Sequence, residues 1–529
     1  MKAPTQECTI NYSYIGMAEQ SLKLAKGISN YHKNIKLFSD NNIGEVVVTG
    51  YQTISKERAT GSYTILKSKD LEKRHAQNLA QALDGLVAGM QGNDDGRGGK
   101  KFTIRGTNTM LADNTPLIVV DGFPITDNPS SNATSNPNMN ALERINPDDI
   151  ESITLLKDAA AASIWGARSA NGVIVITTKK AKKDQKWDVE AKTQLSISLK
   201  QDVSHITNLA SSRQMINYER WCFENSMLGD EYTGSMSSLY NAIDKSQLIM
   251  YKGYKWGTIS KENMNAQLEA LANCDNSNQI RKYLLKSPIT SQSNISISGG
   301  AGNWTTRASV QYQYETGNFI GSRDNDWKID WNNNYKLNDH LTFNVGLNLV
   351  NSNQHSSQMG ISDISDLSPY EMLLNEDGSY AENWHSSYNT DVLSKYNWNG
   401  FTYKNMNYNL LQEALTRKQR ISNTQMRTQL GAEFKIIDGL RFNSKFQYES
   451  SSYSISKTNQ EESFYTRYAV NYYTPGDMNG NATGLSAIPT GAIIANGGGS
   501  NHSAIFRNDF SYDKIFDSKH AISAALGNE

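Results

Sequence analysis

Trp187-Asp188-Val189-Glu190-Ala191-Lys192-Thr193-Gln194-Leu195-Ser196-Ile197-Ser198-Leu199-Lys200 is the stretch whose reading decides the architecture. Trp187, Val189, Ala191, Thr193, Leu195, Ile197 and Leu199 fall on one side of an extended chain, and the charged and polar residues between them fall on the other. Side chains of a strand point alternately to its two faces, so the segment predicts a strand with one apolar and one polar face. Its fourteen residues far exceed the ordinary strand of about 5–6. Such a length suits a barrel that crosses a bilayer, whose strands need roughly 9–11 residues.

The pattern returns at Trp304–Tyr314, Trp327–Tyr335, Leu341–Leu349, Met426–Ile436, Leu440–Tyr448 and Ala504–Tyr512. Short links such as Asn338-Asp339 and Asp438-Gly439 alternate with long polar connections, of which residues 351–422 are one. Short turns on one side and long loops on the other are the signature of an outer-membrane barrel. A soluble β-sandwich also alternates, but it seldom needs strands this long. The spacing gives on the order of ten strands. Trp187, Val189, Leu195, Ile197, Trp304, Val310, Tyr312, Phe343, Val345 and Leu347 are expected to face outward, with Lys192, Gln194, Gln311 and Asn344 facing the lumen.

Composition narrows the function. Lys and Arg total 52 and Asp and Glu 53, so the chain lacks the basic footprint of a nucleic-acid binder. Three cysteines, Cys8, Cys222 and Cys274, have neither metal-ligand spacing nor the even number of a disulfide framework. No apolar run approaches the roughly 18 residues of a transmembrane helix, and Met1-Lys2-Ala3-Pro4 does not begin an apolar signal-peptide core. Enzyme signatures are missing: there is no G-x-S-x-G, no H-E-x-x-H and no paired C-x-x-C. Asp94-Asp95-Gly96-Arg97-Gly98-Gly99-Lys100-Lys101 fails as a phosphate-binding loop, because Asp94 stands where the first glycine is required and Lys101 where Ser or Thr is. The chain is expected to be no enzyme and to carry no cofactor and no metal.

Upstream of Trp187 the grammar differs. Cys8, Ile10, Tyr12 and Tyr14 share one face of a candidate strand, and Ile35 and Leu37 begin another. Two or three such strands cannot bury a core of their own, so residues 1–40 are read as the tail of a β-sandwich. Residues 41–69 form a linker with the apolar run Val46-Val47-Val48. Over 70–180 a small mixed α/β domain is expected. Ser68 is a helix cap, Leu79, Leu83, Leu86, Val87 and Met90 recur at helical spacing, and Pro116–Val120 and Val173–Thr177 are apolar strands. Leu83, Leu86, Val119, Ile153, Val173 and Val175 are its predicted core.

Three features occur in a fixed order: Ile104-Arg105-Gly106, then Pro116-Leu117-Ile118-Val119-Val120-Asp121-Gly122, then Ile150–Lys179, IESITLLKDAAAASIWGARSANGVIVITTK. Together they resemble the plug domain of TonB-dependent receptors. Lys157-Asp158 with its alanine run, and Gly166-Ala167-Arg168-Ser169-Ala170-Asn171-Gly172, resemble the SusC/RagA branch in particular. Trp165 departs from the Tyr usual there. Ser298–Trp304 resembles the branch's early barrel hairpins. The resemblance runs over roughly residues 8–529, and family members are about twice as long and close a 22-stranded barrel. It implies a mainly β fold, a partial outer-membrane β-barrel over 181–529 with an N-terminal α/β plug, and identifies residues 1–40 with the end of a carboxypeptidase-regulatory-like domain. An open half-barrel leaves about ten backbone groups unpaired at each edge, so this stretch is expected to need a continuation to form a pore.

The resemblance implies import across the cell outer membrane of a large nutrient, a glycan or peptide, with a SusD-like lipoprotein and with the TonB complex pulling on the plug. Glu45-Val46-Val47-Val48-Thr49-Gly50-Tyr51 matches the TonB-box region. A short β-branched run can add to a partner's sheet edge, although an ordinary last sandwich strand reads the same. Plug-motif residues are Arg105, Gly106, Asp121, Gly122, Lys157, Asp158, Gly166, Ala167, Arg168, Asn171 and Gly172. Candidate substrate contacts are Asn108, Asp113 and Asn128 in the plug and Tyr370, Trp384, Tyr388 and Trp398 in the long barrel loop. Three other readings stand beside import: a signal-transducing receptor of the same fold, a soluble β-rich carbohydrate-active enzyme, and a truncated remnant without function.

Overall fold

The computed structural model describes residues 8–14, 17–24, 46–48, 53–55, 61–73, 76, 78–94, 100–106, 114–125, 141–158, 162–204, 210–227, 243–383, 398–477, 481–516 and 520–529. Two hairpins open the chain. Strand β1 (Cys8–Tyr14) pairs with β2 (Met17–Leu24), and β3 (Val46–Val48) pairs with β4 (Thr53–Ser55). Ile35 and Leu37 lie outside the described residues.

The α/β domain is built on a five-stranded sheet. Its strands are β5 (Tyr63–Lys67), β8 (Leu117–Val120), β9 (Phe123–Ile125), β10 (Ile150–Leu156) and β11 (Val173–Thr178), in the order β5-β10-β11-β8-β9. A separate hairpin joins β6 (Met90–Asp94) to β7 (Lys100–Ile104). The sheet begins upstream of residue 70, because Tyr63-Thr64-Ile65-Leu66-Lys67 alternates too modestly to stand out as a strand alone. Strand β8 and the first four residues of β11, Val173–Ile176, are apolar without a break because both faces are covered. Ile118, Val120, Ile153, Leu155, Ile174 and Ile176 join the helix residues Leu79 and Leu83 in one core. Val119, Leu156, Val173 and Val175 pack with Trp165 in the other. Of the predicted core only Leu86 is partly rather than fully buried. Trp165 is itself buried, so the larger ring in place of Tyr is absorbed by packing.

Local chemistry sets the corners. Asp121 and Gly122 connect β8 to β9 with φ of 50° and 89°. A two-residue hairpin turn whose twist matches its strands needs positive φ at both positions, which Asp-Gly supplies. Asn146 accepts a hydrogen bond from the Asp148 amide at 3.1 Å and so caps a single 3-10 turn, Pro147–Asp149. Ahead of β11 stands a short 3-10 segment, Ser163–Ser169, broken at Gly166 with φ of 60°.

The second sheet has nine strands, β12 (Asp188–Ile197), β13 (Ile289–Ala301), β14 (Trp304–Thr316), β15 (Arg323–Lys336), β16 (Leu341–Ser357), β17 (Arg417–Ile437), β18 (Leu440–Asn459), β19 (Ile493–Phe516) and β20 (His520–Asn528). Each pairs antiparallel with the next. Alternation sorts the faces as predicted. Val189, Leu195, Ile197, Trp304, Val310 and Phe343 are exposed outward, while Gln311 is buried and Lys192 reaches the plug. Outward aromatics form two belts. Trp304, Tyr335 and Phe343 share one level, and Tyr312 and Trp327, with ring centroids 4.5 Å apart, mark another. Tyr335 and Trp327 are eight residues apart on β15. At ~3.3 Å per residue and a tilt of ~40° that is roughly 20 Å along the normal, close to the ~25 Å apolar band of such barrels. Trp187 lies flat over Gly299, where a Cβ would sit 2.7 Å from its ring, and meets Trp304 edge-on at 6.0 Å.

Tight links such as Gly302-Asn303 and Asp438-Gly439 lie at one end of the sheet, and the described residues of the connections 198–288, 358–416 and 460–492 lie at the other. These long connections are not plain polar loops. They carry the helices Ser212–Glu224, Lys245–Met250, Lys261–Ala272, Ile361–Ser365, Leu410–Thr416 and Phe464–Tyr472. Their apolar faces interlock: Val203, Ile280 and Leu284 from the first connection pack with Leu367, Leu373, Leu410 and Leu411 from the second. Tyr251 and Met406 meet Phe464 of the third. Cys222 and Cys274 are free thiols in this layer.

Candidate functional site

The α/β domain sits against the inner face of the nine-stranded wall and is held by buried polar anchors. Asp149, at the end of the turn that Asn146 caps, is the centre of the first. Its carboxylate takes hydrogen bonds from Arg307 at 2.9 Å, from Asn146 at 2.8 Å and from the Ser309 hydroxyl. Asn146 also donates to Asn294 on β13 at 3.1 Å. Alternation places Asn294, Arg307 and Ser309 on the inward face, so three wall residues converge on one turn. Lys192 on β12 pairs with Asp148 at 3.1 Å. Lys328 on β15 donates to the carbonyls of Glu143 and Ile145. Arg507 on β19 donates to the Gly122 carbonyl and lies over the rings of Phe123 and Trp165, 5.4 and 5.2 Å from their centroids. Between β15–β18 and the domain a cavity of about 580 Å³ remains, lined among others by Asn332, Asn344, Gln429, Asn443, Lys445 and Asp121.

The predicted motif residues act within the domain or at its rim. Arg105, at φ 59°, donates its amide to Gly89 at 2.7 Å ahead of Gly106. Asp121 accepts from the amide and hydroxyl of Thr178 at 3.0 and 2.7 Å, tying the turn to β11. Lys157 donates its ammonium to Ala88 at 2.7 Å, and Asp158 accepts the Ser62 amide at 2.6 Å. Asn171 donates to Thr115 at 3.4 Å. Gly172 has φ of 88° and no room for a Cβ, which would lie 3.0 Å from the Leu156 carbonyl oxygen. Arg168 pairs with Glu529 at 2.9 Å, and Ala167 follows Gly166 in the broken turn. The signal that sequence reading passed over was a parity signal. Arg307, Lys328 and Arg507 are charges on the inward-facing set of strands whose outward set is apolar.

The candidate contact residues divide. Asn108, Asp113, Asn128, Trp384 and Tyr388 lie outside the described residues, as do Glu45, Thr49, Gly50 and Tyr51. Val46, Val47 and Val48 form β3. Trp398 is half-buried and packs edge-on against Phe401 at 5.2 Å. Tyr370 is 1% exposed, so it meets no solute: its hydroxyl donates to both carboxylate oxygens of Glu219 at 3.2 Å. Its place in a long polar loop suggested an exposed ring, but the loops pack on one another and take the ring into their core.

Burial pushes the Glu219 carboxyl up to about 7; the Ser246 hydroxyl donates to it and opposes the shift, and the nearby charge of Asp244 adds to it. Burial likewise raises Asp244 to about 6. A carboxyl raised above its unfolded value holds its proton longer in the folded state, so its contribution is complete below the unfolded value, near 4.5, and is lost as pH rises through about 7. The loop layer is therefore expected to loosen between those limits, by up to about 3 kcal/mol for Glu219. Hydrogen exchange of residues 212–250 against pH in the full-length protein checks this. Glu219→Gln, which still accepts from Tyr370, should flatten the profile; an unchanged slope would refute the assignment.

Among the described residues no group of His, Cys, Asp or Glu is arranged to hold a metal ion, and no helix is long and apolar enough to cross a membrane. The family profile described as TonB-dependent Receptor Plug Domain matches residues 55–173. The chain is 30% identical over 355 residues to "TonB-dependent receptor SusC" of Bacteroides thetaiotaomicron, covering 66% of this chain and 30% of that one. It is 26% identical over 474 residues to "TonB-dependent receptor P3" of Formosa agariphila, covering 86% and 39%. Among solved structures, the RagAB peptide importer in its open-open state superposes with a TM-score of 0.62 at 21% identity, covering 91% of this chain and 48% of that chain. The chain thus spans less than half the length of each of these relatives.

Proposed function

We propose that this chain belongs to the SusC/RagA-type TonB-dependent receptors of the outer membrane, to which it is similar, and provides the plug and part of the barrel wall for energised import of a large nutrient, a glycan or peptide. A SusD-like lipoprotein covers the loop side, and TonB engages the segment around Val46–Val48. The observation that carries this reading is the polar character of the contact between plug and wall. Two apolar cores hold the plug together, whereas ion pairs and hydrogen bonds hold it to the wall. Polar groups can exchange a protein partner for water at small net cost, about 0.5–1.5 kcal/mol per hydrogen bond. A plug seated this way can shift without exposing a hydrophobic core. No step of bond chemistry is needed.

The test is Val47→Pro in the full-length protein. β3 pairs with Thr53–Ser55, and a second chain adding to that hairpin needs a free backbone donor, which proline removes. Substrate binding at the cell surface is expected to persist while accumulation inside the cell falls to the level of a strain without TonB. Full uptake by this variant would refute the TonB-docking role of the segment.

A further inference from the structure

Just past the aromatic belt on the loop side, the outer face of the wall turns basic. Arg323 on β15, His355 on β16 and Arg420 on β17 stand on one rung of the register. Lys418, two residues further along β17, has the same parity. Arg323, Lys418 and Arg420 are exposed. Parity assigns them to the lipid side. Trp327 of the belt shares the parity of Arg323, whereas the acids at this level, Asp324 and Asp326, fall on the inner face. Among the described residues no carboxylate forms an ion pair with Arg323, Lys418 or Arg420. Arg420 gives one hydrogen bond, to the neutral Asn353 carboxamide at 3.3 Å. The charges that reach the His355 ring are those of Arg323 and Arg420. Like charges gathered across neighbouring strands destabilise a sheet unless something answers them.

A second observation is independent of the charges. Nearer the belt the outer face is polar and satisfied. Asn351 donates to Thr424 at 2.8 Å, Asn353 donates to Asn351 at 2.8 Å, and Ser422 donates to Asn353 at 2.7 Å. One rung on, the pairing stops. Nδ1 of His355 is buried without a partner, and so is the hydroxyl of Ser357, a residue 5% exposed that stands on the Lys418 rung. Buried polar atoms are nearly always paired, so two adjacent ones left open mark a place where another molecule supplies the partner. An imidazole and a hydroxyl each turn a donor toward an acceptor, so both open groups suit the same anion that the flanking cations call for.

Height above the belt says where that anion comes from. Arg323 is four residues beyond Trp327 on β15. At ~3.3 Å per residue and a tilt of ~40° this is roughly 10 Å along the normal. That level lies outside the hydrocarbon core and within the headgroup layer, and long loops mark the external side of such barrels. We propose that Arg323, His355, Ser357, Lys418 and Arg420 form a site on the lipid-facing surface for the phosphate of an outer-leaflet lipid headgroup. Two guanidinium forks and an ammonium supply charge-assisted donors that match phosphate oxygens, and basic clusters beside a membrane are held to anionic headgroups in this way. The inference goes beyond import and rests on the outward parity of this face.

Anisotropy of fluorescently labelled lipid A, a phosphorylated acylated disaccharide, tests it with the purified full-length receptor in neutral detergent at low and at physiological salt. The phosphorylated lipid is expected to bind, weakening with salt, and its dephosphorylated form is expected to bind at least tenfold more weakly. Arg323→Gln with Arg420→Gln, which keeps polar side chains and removes the charge, should weaken binding at least tenfold. Lys418→Gln provides a second variant, and heat-modified gel mobility reports whether each barrel is intact. Inorganic phosphate, added in equal amount, is expected to leave the lipid in place. Equal affinity for the phosphorylated and dephosphorylated lipids, equal affinity of the intact Arg variant, no binding of either lipid, or displacement by inorganic phosphate would overturn the proposal, the last by making this a site for a free anion.

Discussion

Replacing Asp149 with Ala in the full-length protein is expected to weaken the seating of the plug by about 3–5 kcal/mol, the range for breaking a buried ion pair from one side. The loss is large because of what remains. Arg307, Ser309 and Asn146 all direct donors at that carboxylate, and all three are buried. Without it the guanidinium is left buried in the wall without the carboxylate it pairs with. The plug fold should survive, since the sheet cores lie elsewhere. Urea titration with one reporter on the plug and one on the barrel separates the two effects: the plug should detach at lower urea while the barrel midpoint stays. Arg307→Ala should cost nearly as much, and the double variant much less than the sum. Additive losses would mean that the two side chains act separately and that the anchor is misassigned.

The second large effect concerns lipid. Leu347 is midway between the two aromatic belts, four residues from Phe343 and four from Asn351, the register partner of Trp327. It points outward, whereas Asn344 lines the cavity beside the plug. Leu347→Arg is expected to cost about 2–4 kcal/mol in a bilayer, and Asn344→Arg much less, because only the first charge meets hydrocarbon. Val345, nearer to a belt, should show an intermediate cost. Unfolding midpoints of the full-length barrel in lipid vesicles decide it. Equal losses at Leu347 and Asn344 would put the faces of this sheet the other way round.

The sequence disclosed most where one physical demand dominates. Lipid on one face and water on the other forces alternation, so the middle of β12 and of β14 through β19 was visible. Their ends were not. β17 and β19 run to 21 and 24 residues, well past the ~9–11 needed to span. Beyond the bilayer both faces are polar and the period disappears, as in Arg417-Lys418-Gln419-Arg420. Strand β13 escaped for a related reason: its outward set mixes Ile with Ser, giving Ile289, Ser291, Ser293, Ile295 and Ile297, against an inner set of Thr290, Gln292, Asn294, Ser296 and Ser298. The plug motif was legible as a pattern, but its residues proved to hold turns and edges together. Wall anchors such as Arg307 and Arg507 needed the partner surface before their purpose could be seen. Tyr370 shows the same limit in the loops, since no local pattern announces that three distant connections share a core.

The order of the plug sheet carries a mechanical consequence. Strand β5 is its edge, and of the strands in that sheet it is the first that tension from Val46–Val48 would reach. Ahead of it stands a small latch: Ser62 donates its amide to Asp158 at 2.6 Å, and its carbonyl accepts from the Lys157 amide at 3.0 Å. Behind the latch are five rungs, from Tyr63 opposite Leu156 to Lys67 opposite Ser152. Force applied at the leading end of an edge strand loads its rungs one after another, as in opening a zip, and each breaks at the strength of a single hydrogen bond. The anchors at Asp149, Lys328 and Arg507 belong to other elements and would feel the load only afterwards. A steady pull thus meets its least resistance in unravelling one margin of the plug, while the rest keeps its grip on the wall.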